Sequence, residues 1–420
     1  MLKRSISSLL DQVLLSALNF GIAFALIQGI PKAEYGLYVQ LSLYGLLVTT
    51  MMDAYLGNSF NILNNRPPDQ RPADLLGNTI RISYAISALA ALTGIIMVLW
   101  LTRDWSDALH RTYVILVYTV YLVLVVNREF KRACCYLTER WKQAFLMNAI
   151  FASCSVIFLS VLWWSGKLSV VSVFVALAVS SGLATVITPT LTELKPLHSI
   201  RSTLELAKKS WLVSNWALPG SVLGWSINNA YLFILSVLSG PGATAEVNAT
   251  KLAIMPLALT LIAWYQVSRA DISRLVQLGT STSYTHYVRK SFLLMYAPVP
   301  VYLLVLYLVY PWMEPVLLKK DYTHSEFLLI LWGFSAFITP LKFLGTSLLV
   351  GFEAFKVLFK LSLLSLVVQI AGVFFFVQFF DFTYVIVALI LADLLEIVIM
   401  WFVFIPRCKS IIRVKDPLLN

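Results

Sequence analysis

Five ionisable residues stand inside stretches otherwise built of Leu, Val, Ile and Phe: Asp53, Lys251, Lys342, and the pair Asp393 and Glu396, one helical turn apart. A charge at the centre of a membrane helix costs about 2.5 to 3.5 kcal/mol on insertion scales, so such residues carry a functional expectation by default. A lysine in hydrocarbon suits an anionic group, which it holds by a charge-assisted hydrogen bond, and a carboxylate suits a proton or a cation. Lys251, Arg81 and Arg128 have a competing reading as interfacial anchors, because a long basic side chain near a span end can snorkel to the headgroups. Soluble-type catalysis has no comparable set. The four histidines (His110, His198, His286, His324) fall in loops, and there is no HExxH, Walker or strand-following GxGxxG pattern. A membrane-embedded glycosyltransferase would want a carboxylate-bearing outer loop after the first span, and "PKAEYG" offers Glu34 alone. No enzyme, catalytic residue or metal site is expected.

Neutral polar residues are arranged as deliberately as the charges. Ser5, Ser8, Gln12, Ser16 and Asn19 follow one another at steps of three or four, which on a 3.6-residue helix makes one polar stripe with Asp11 beside it. Ser210, Ser214, Ala217, Ser221, Gly224 and Asn228 repeat that spacing in the seventh span, with Asn229 adjacent and Pro219 placed to kink the helix. Polar groups in hydrocarbon must find partners or water, so both stripes are expected to face protein or a wet cavity. Close helix packing through small residues is the competing account.

The elements that must position these residues follow from composition. The chain has 420 residues, of which 59% are hydrophobic and 13% charged, with a mean hydropathy of +0.80. That is too much apolar surface for a soluble core, and it comes in runs near the length that crosses about 30 Å of hydrocarbon. Twelve helical spans are expected, at 8–30, 37–60, 79–101, 112–137, 144–165, 168–189, 211–238, 247–270, 291–312, 327–350, 356–379 and 382–405. The first is read as an uncleaved helix rather than a signal peptide. The inner-side segment 190–210 separates six spans (1–189) from six (211–405), and 406–420 form a tail. Most of the 32 Lys and Arg gather on alternate connections, which places both termini in the cytoplasm. The net charge of +11 then reflects basic residues at an anionic leaflet, not a nucleic-acid surface. Cys134, Cys135, Cys154 and Cys408 lie in or beside spans without a CxxC and are expected as free thiols.

Three stretches carry a family resemblance: "DQVLLSALNFGIAFALIQGIPKAEYGLYVQLSLYGLL", "VVNREFKRACCYLTERWKQAFLMNA" with Arg128 and Arg132, and "SWLVSNWALPGSVLGWSINNAYLFILSVLSGPGATAEVNATKLAIMPL". They resemble the opening, the fourth-helix exit and the second-half entry of Wzx-type oligosaccharide flippases of the multidrug/oligosaccharidyl-lipid/polysaccharide (MOP) exporter superfamily. "PGATAEVNA" departs from the short Val-Gly-type turn usual there. The resemblance implies an all-α membrane protein of twelve transmembrane helices, in two six-helix bundles around a central cavity that opens alternately to either side. It implies a place in the bacterial inner membrane, and a lipid-linked oligosaccharide of undecaprenyl-pyrophosphate type as substrate. It further implies membrane lipid, a glycan polymerase and assembly machinery as partners, with no nucleic acid and no cofactor, and a proton or sodium gradient as the energy source.

On that reading Lys251 and Lys342 are first candidates for the phosphate or an acidic sugar, with Arg81 and Arg128 near the inner entrance. Gln12, Asn19, Asn228 and Asn229 would hydrogen-bond sugar, Tyr231 and Tyr265 could stack on it, and Asp11 and Asp53 would couple transport to an ion or close a gate. A multidrug antiporter of the same superfamily is the alternative, and it should favour acidic, cation-binding residues. A membrane glycan polymerase or transferase would need catalytic groups that the chain does not display.

Overall fold

The computed structural model describes residues 2–64, 69, 72, 74–103, 105–138, 140–188, 200–261, 264, 272, 275, 281–318, 322–352 and 354–407, with backbone alone at 2–12, 281–284 and 317. Every extended element among them is a helix. Tertiary contacts divide the chain into two units, Met1–Trp225 and Ser226–Asn420.

The first unit holds α1 (Leu2–Gly29), α2 (Lys32–Met52), α3 (Asn58–Asn64), α4 (Leu75–Leu101), α5 (Ala108–Leu137), α6 (Trp141–Trp164), α7 (Val170–Ile187) and α8 (Ile200–Ser214). α5 packs along α4 and α7, and α6 along α1 and α7. Where aromatic hydroxyls enter this core they are tied to backbone. Tyr118 donates to the Leu41 carbonyl at 2.6 Å and Tyr44 to the Ala90 carbonyl at 3.2 Å, so neither leaves an unmet O–H in an apolar layer. α2 runs into α3 through one π turn, Asp53–Gly57, with the Asn58 N–H on the Asp53 carbonyl. Gly57 lets the Asp53 carboxylate lie over the turn, and a Cβ there would push that carboxylate aside.

The second unit begins within α9 (Ala217–Lys251) and continues through α10 (Ser281–Tyr296), α11 (Pro298–Leu317), α12 (Ser325–Gly351), α13 (Phe355–Phe379) and α14 (Val385–Ile399). A second π turn, Met400–Phe404, follows α14. α9 is helical on both sides of Gly240, whose φ of 82° and ψ of 168° only glycine adopts readily. The Thr244 hydroxyl donates to the Leu232 carbonyl twelve residues earlier, so the chain doubles back at Gly240 and α9 is two antiparallel helices. This separates the expected seventh and eighth spans. α14 packs against α12 and α13, and Gln369 of α13 donates to the Ile227 carbonyl of α9 at 3.0 Å.

Nine described helices are long and apolar enough to cross a membrane. The other three expected spans fall short for local reasons. The side chains of α1 are described only from Val13, α2 carries polar residues such as Gln40, Thr49 and Thr50 along its length, and the eighth span passes largely outside the described residues. The polar stripe of the seventh span does not continue as expected. A turn at Asn215–Trp216 ends α8, and Ser210 and Ser214 are buried on α8 against the first unit, with the Ser214 hydroxyl on the Tyr55 carbonyl at 2.9 Å. Only the positions from Ala217 onward share a helix with Asn228.

Candidate functional site

Each unit carries a charged cluster within its spanning helices. In the first, Arg128, Glu129 and Arg132 lie in the last third of α5. Glu129 is shared: one oxygen accepts from Arg128 and the other from Arg132, at 2.7 Å from Nη2 and 2.9 Å from Nε. Arg128 is 3% exposed, and its guanidinium lies 3.4 Å from the centre of the Phe151 ring on α6. Its Nε and Nη1 have no hydrogen-bond partner among the described residues. Glu129 and the face of the Phe151 ring together offset the burial of the Arg128 charge. Asp53, on the π turn, lies within electrostatic reach of Arg132 and Glu129 and is itself exposed.

In the second unit Lys342 of α12 meets both acids of α14. Its ammonium donates to Asp393 Oδ1 at 2.5 Å and lies 3.0 Å from Glu396 Oε2. The i, i+3 spacing of the two acids puts both on one face of α14, and the packing of α12 against that face brings the lysine between them. Two carboxylates around one ammonium leave a surplus negative charge.

Lys251 differs. It ends α9, 5.5 Å above the ring of Tyr231 and 5.3 Å above that of Trp332, with its ammonium 3.2 Å from the Tyr231 hydroxyl. Among the described residues it makes no ion pair. The doubling-back at Gly240 and a bond from Trp332 Nε1 to the Val247 carbonyl, 3.2 Å, set this arrangement.

The other sequence-derived residues are dispersed. Asn19 on α1 and Asn228 on α9 are exposed, Asn229 and Arg81 are half-buried, and Tyr231 is buried. The side chains of Asp11 and Gln12, and all of Tyr265, lie outside the described residues. Two acids escaped the sequence reading. Glu129 was hidden inside a basic run, although its position beside Arg128 and three before Arg132 was the available signal. Glu246, fully buried, accepts from the His324 backbone N–H at the start of α12 at 2.6 Å, and it sat in what reads as a loop.

No family model matches the chain, and no curated protein matches it in sequence. Solved structures do match in fold. An inward-facing multidrug resistance MATE family transporter of the MOP superfamily aligns with a TM-score of 0.72 at 14% identity, over 94% of this chain and 95% of that one. The outward-facing form of such a transporter aligns at 0.64 and 14%, over 98% and 95%. A MOP superfamily transporter from Pyrococcus furiosus, described as having a binding pocket of reverse polarity, aligns at 0.64 and 14%, over 98% and 96%. Nearly full coverage in both directions, with long apolar helices throughout, makes this a multi-pass all-α membrane protein with the fold of the MATE-type transporters of the MOP superfamily.

Proposed function

We propose that the protein is a transporter that works by alternating access and flips a lipid-linked oligosaccharide, of the undecaprenyl-pyrophosphate type, from the cytoplasmic to the outer leaflet of a bacterial inner membrane. The observation that carries this reading is Lys251, a cation within the expected eighth span, with aromatic rings around it and no acid paired to it among the described residues. A pyrophosphate and sugar head cannot cross hydrocarbon unaided, and an ammonium flanked by Tyr231 and Trp332 offers a charge-assisted bond to the first and ring faces to the second. Lys342, held by Asp393 and Glu396, is the weaker phosphate contact of the two, and its cluster is suited to exchanging a proton or sodium ion. A glycan polymerase and its assembly machinery would act on the flipped product.

The test compares Lys251→Gln with Lys251→Arg. Loss of the charge-assisted bond removes about 1.5 to 3 kcal/mol, roughly 10- to 150-fold in binding. The expected result is loss of surface glycan with lipid-linked intermediate retained inside in the glutamine variant, and partial rescue by arginine. Wild-type surface glycan from Lys251→Gln at equal abundance would sink the contact.

A multidrug antiporter is the second reading, favoured by the surplus negative charge around Lys342 and by what the fold's MATE neighbours are described to do. It predicts that cells gain resistance to lipophilic cations when the protein is expressed, and lose it with Asp393→Asn.

A further inference from the structure

α8 has two unlike faces. Thr203, Leu206, Ser210 and Ser214, at steps of three and four, turn toward α4 and the π turn Asp53–Gly57. The Thr203 hydroxyl bonds Asn78 Oδ1 on α4 at 2.7 Å, and Leu206, Ser210 and Ser214 are buried. Tyr55 is bound twice: its hydroxyl donates to the Ala207 carbonyl at 2.9 Å, and its carbonyl accepts from Ser214. Tyr55 belongs to the π turn that carries Asp53, so α8 grips that turn by side chain and backbone together.

Among the described residues nothing covers the outer face. At 100° per residue, Ile200, Leu204 and Trp211 form one edge, Arg201 and Lys208 lie next to it, and Leu212 and Lys209 lie beyond. Ile200 is 80% exposed, Leu212 72% and Trp211 51%. Arg201 pairs with Glu205 at 3.3 Å, both of them exposed, while Lys208 and Lys209 have no acidic partner among the described residues. A spanning helix, α9, starts three residues after α8, with exposed Trp216 at the junction. Large apolar residues beside lysines and arginine, next to a span and with tryptophan at the boundary, match a helix lying in the bilayer interface.

From this we infer that α8 is a docking surface for the anionic headgroups of the adjacent lipid leaflet, and that docking steadies the π turn bearing Asp53 through Tyr55. The inference rests on the membrane placement and holds whichever substrate is carried. Attraction of this kind amounts to about fivefold per basic residue near an anionic surface, so Lys208 and Lys209 together supply about 25-fold.

The test is hydrogen exchange of the full chain in nanodiscs of phosphatidylcholine, with and without phosphatidylglycerol. Phosphatidylglycerol should slow exchange in both 200–214 and 53–58, and added salt should abolish the difference. Lys208→Gln/Lys209→Gln should lose the lipid dependence, with α14 exchanging as in wild type, and Lys208→Arg/Lys209→Arg should keep it. Equal exchange of wild type in the two lipids, or a difference that survives high salt or the glutamine pair, overturns the inference. Protection confined to 200–214 overturns its second half. The wild-type salt series decides the matter even if the glutamine pair does not fold.

Discussion

Lys342 and Lys251 are alike in a hydropathy profile, yet one sits between two carboxylates and the other against two aromatic rings. Company of this kind decides what a buried cation can do. Breaking a buried pair by removing one partner costs about 3 to 5 kcal/mol, because the remaining charge is stranded. Lys342→Met should therefore lower the thermal unfolding midpoint in detergent strongly, since Asp393 and Glu396 would face one another without a counter-charge. Lys342→Met/Asp393→Asn/Glu396→Gln should recover most of the loss. A Lys342→Met protein as stable as wild type would show that the three residues are not coupled. Both acids were visible one turn apart in the sequence, but their lysine is 51 residues away and only the packing of α12 on α14 joins them.

Among the elements, two irregular places matter more than the regular helices. Gly240 holds a φ of 82° at the point where α9 reverses, and Gly220 sits in the same helix with open space around it. Alanine at 240 must enter a backbone region nearly reserved for glycine, at a cost of about 1 to 3 kcal/mol, whereas alanine at 220 should be neutral or stabilising by up to about 1 kcal/mol. Thermal unfolding of Gly240→Ala beside Gly220→Ala checks the pair, and equal midpoints would remove the argument for strain at 240. The reversal was legible from "SGPGATA", a turn-forming run. The break between α8 and α9 was not, because the three- and four-residue spacing of small polar residues runs straight through Asn215 and Trp216. Periodicity reports which residues could share a face and is blind to a two-residue turn that resets the helix axis.

At the scale of the whole molecule, the prediction concerns sidedness. The reversal at Gly240 requires the ends of the seventh span to lie on opposite sides of the membrane, so Asn215→Cys and Gly242→Cys should react with an impermeant thiol reagent from opposite faces. A reporter fused after Asn420 should share the side of Asn215 if the alternating basic connections set the orientation. Labelling of both cysteines from one face would refute the span assignment, and a C-terminal reporter active only outside the cytoplasm would reverse the orientation.

Composition, hydrophobic run length and basic alternation, read without coordinates, determined that this is a polytopic helical membrane protein, because hydrocarbon forces every backbone polar group into a helix and every span to a near-constant length. The resemblance in three stretches pointed to the superfamily whose fold the structure shares, at an identity where few side chains coincide. What only the tertiary structure decided was pairing: Arg128 over the Phe151 ring, Lys342 between Asp393 and Glu396, Tyr55 bound twice to α8, and Glu246 at the start of α12. Most of those partners lie on different helices, and their approach depends on helix rotation and packing depth, which a lipid-facing hydrophobic pattern constrains weakly because lipid and neighbouring helices are equally apolar.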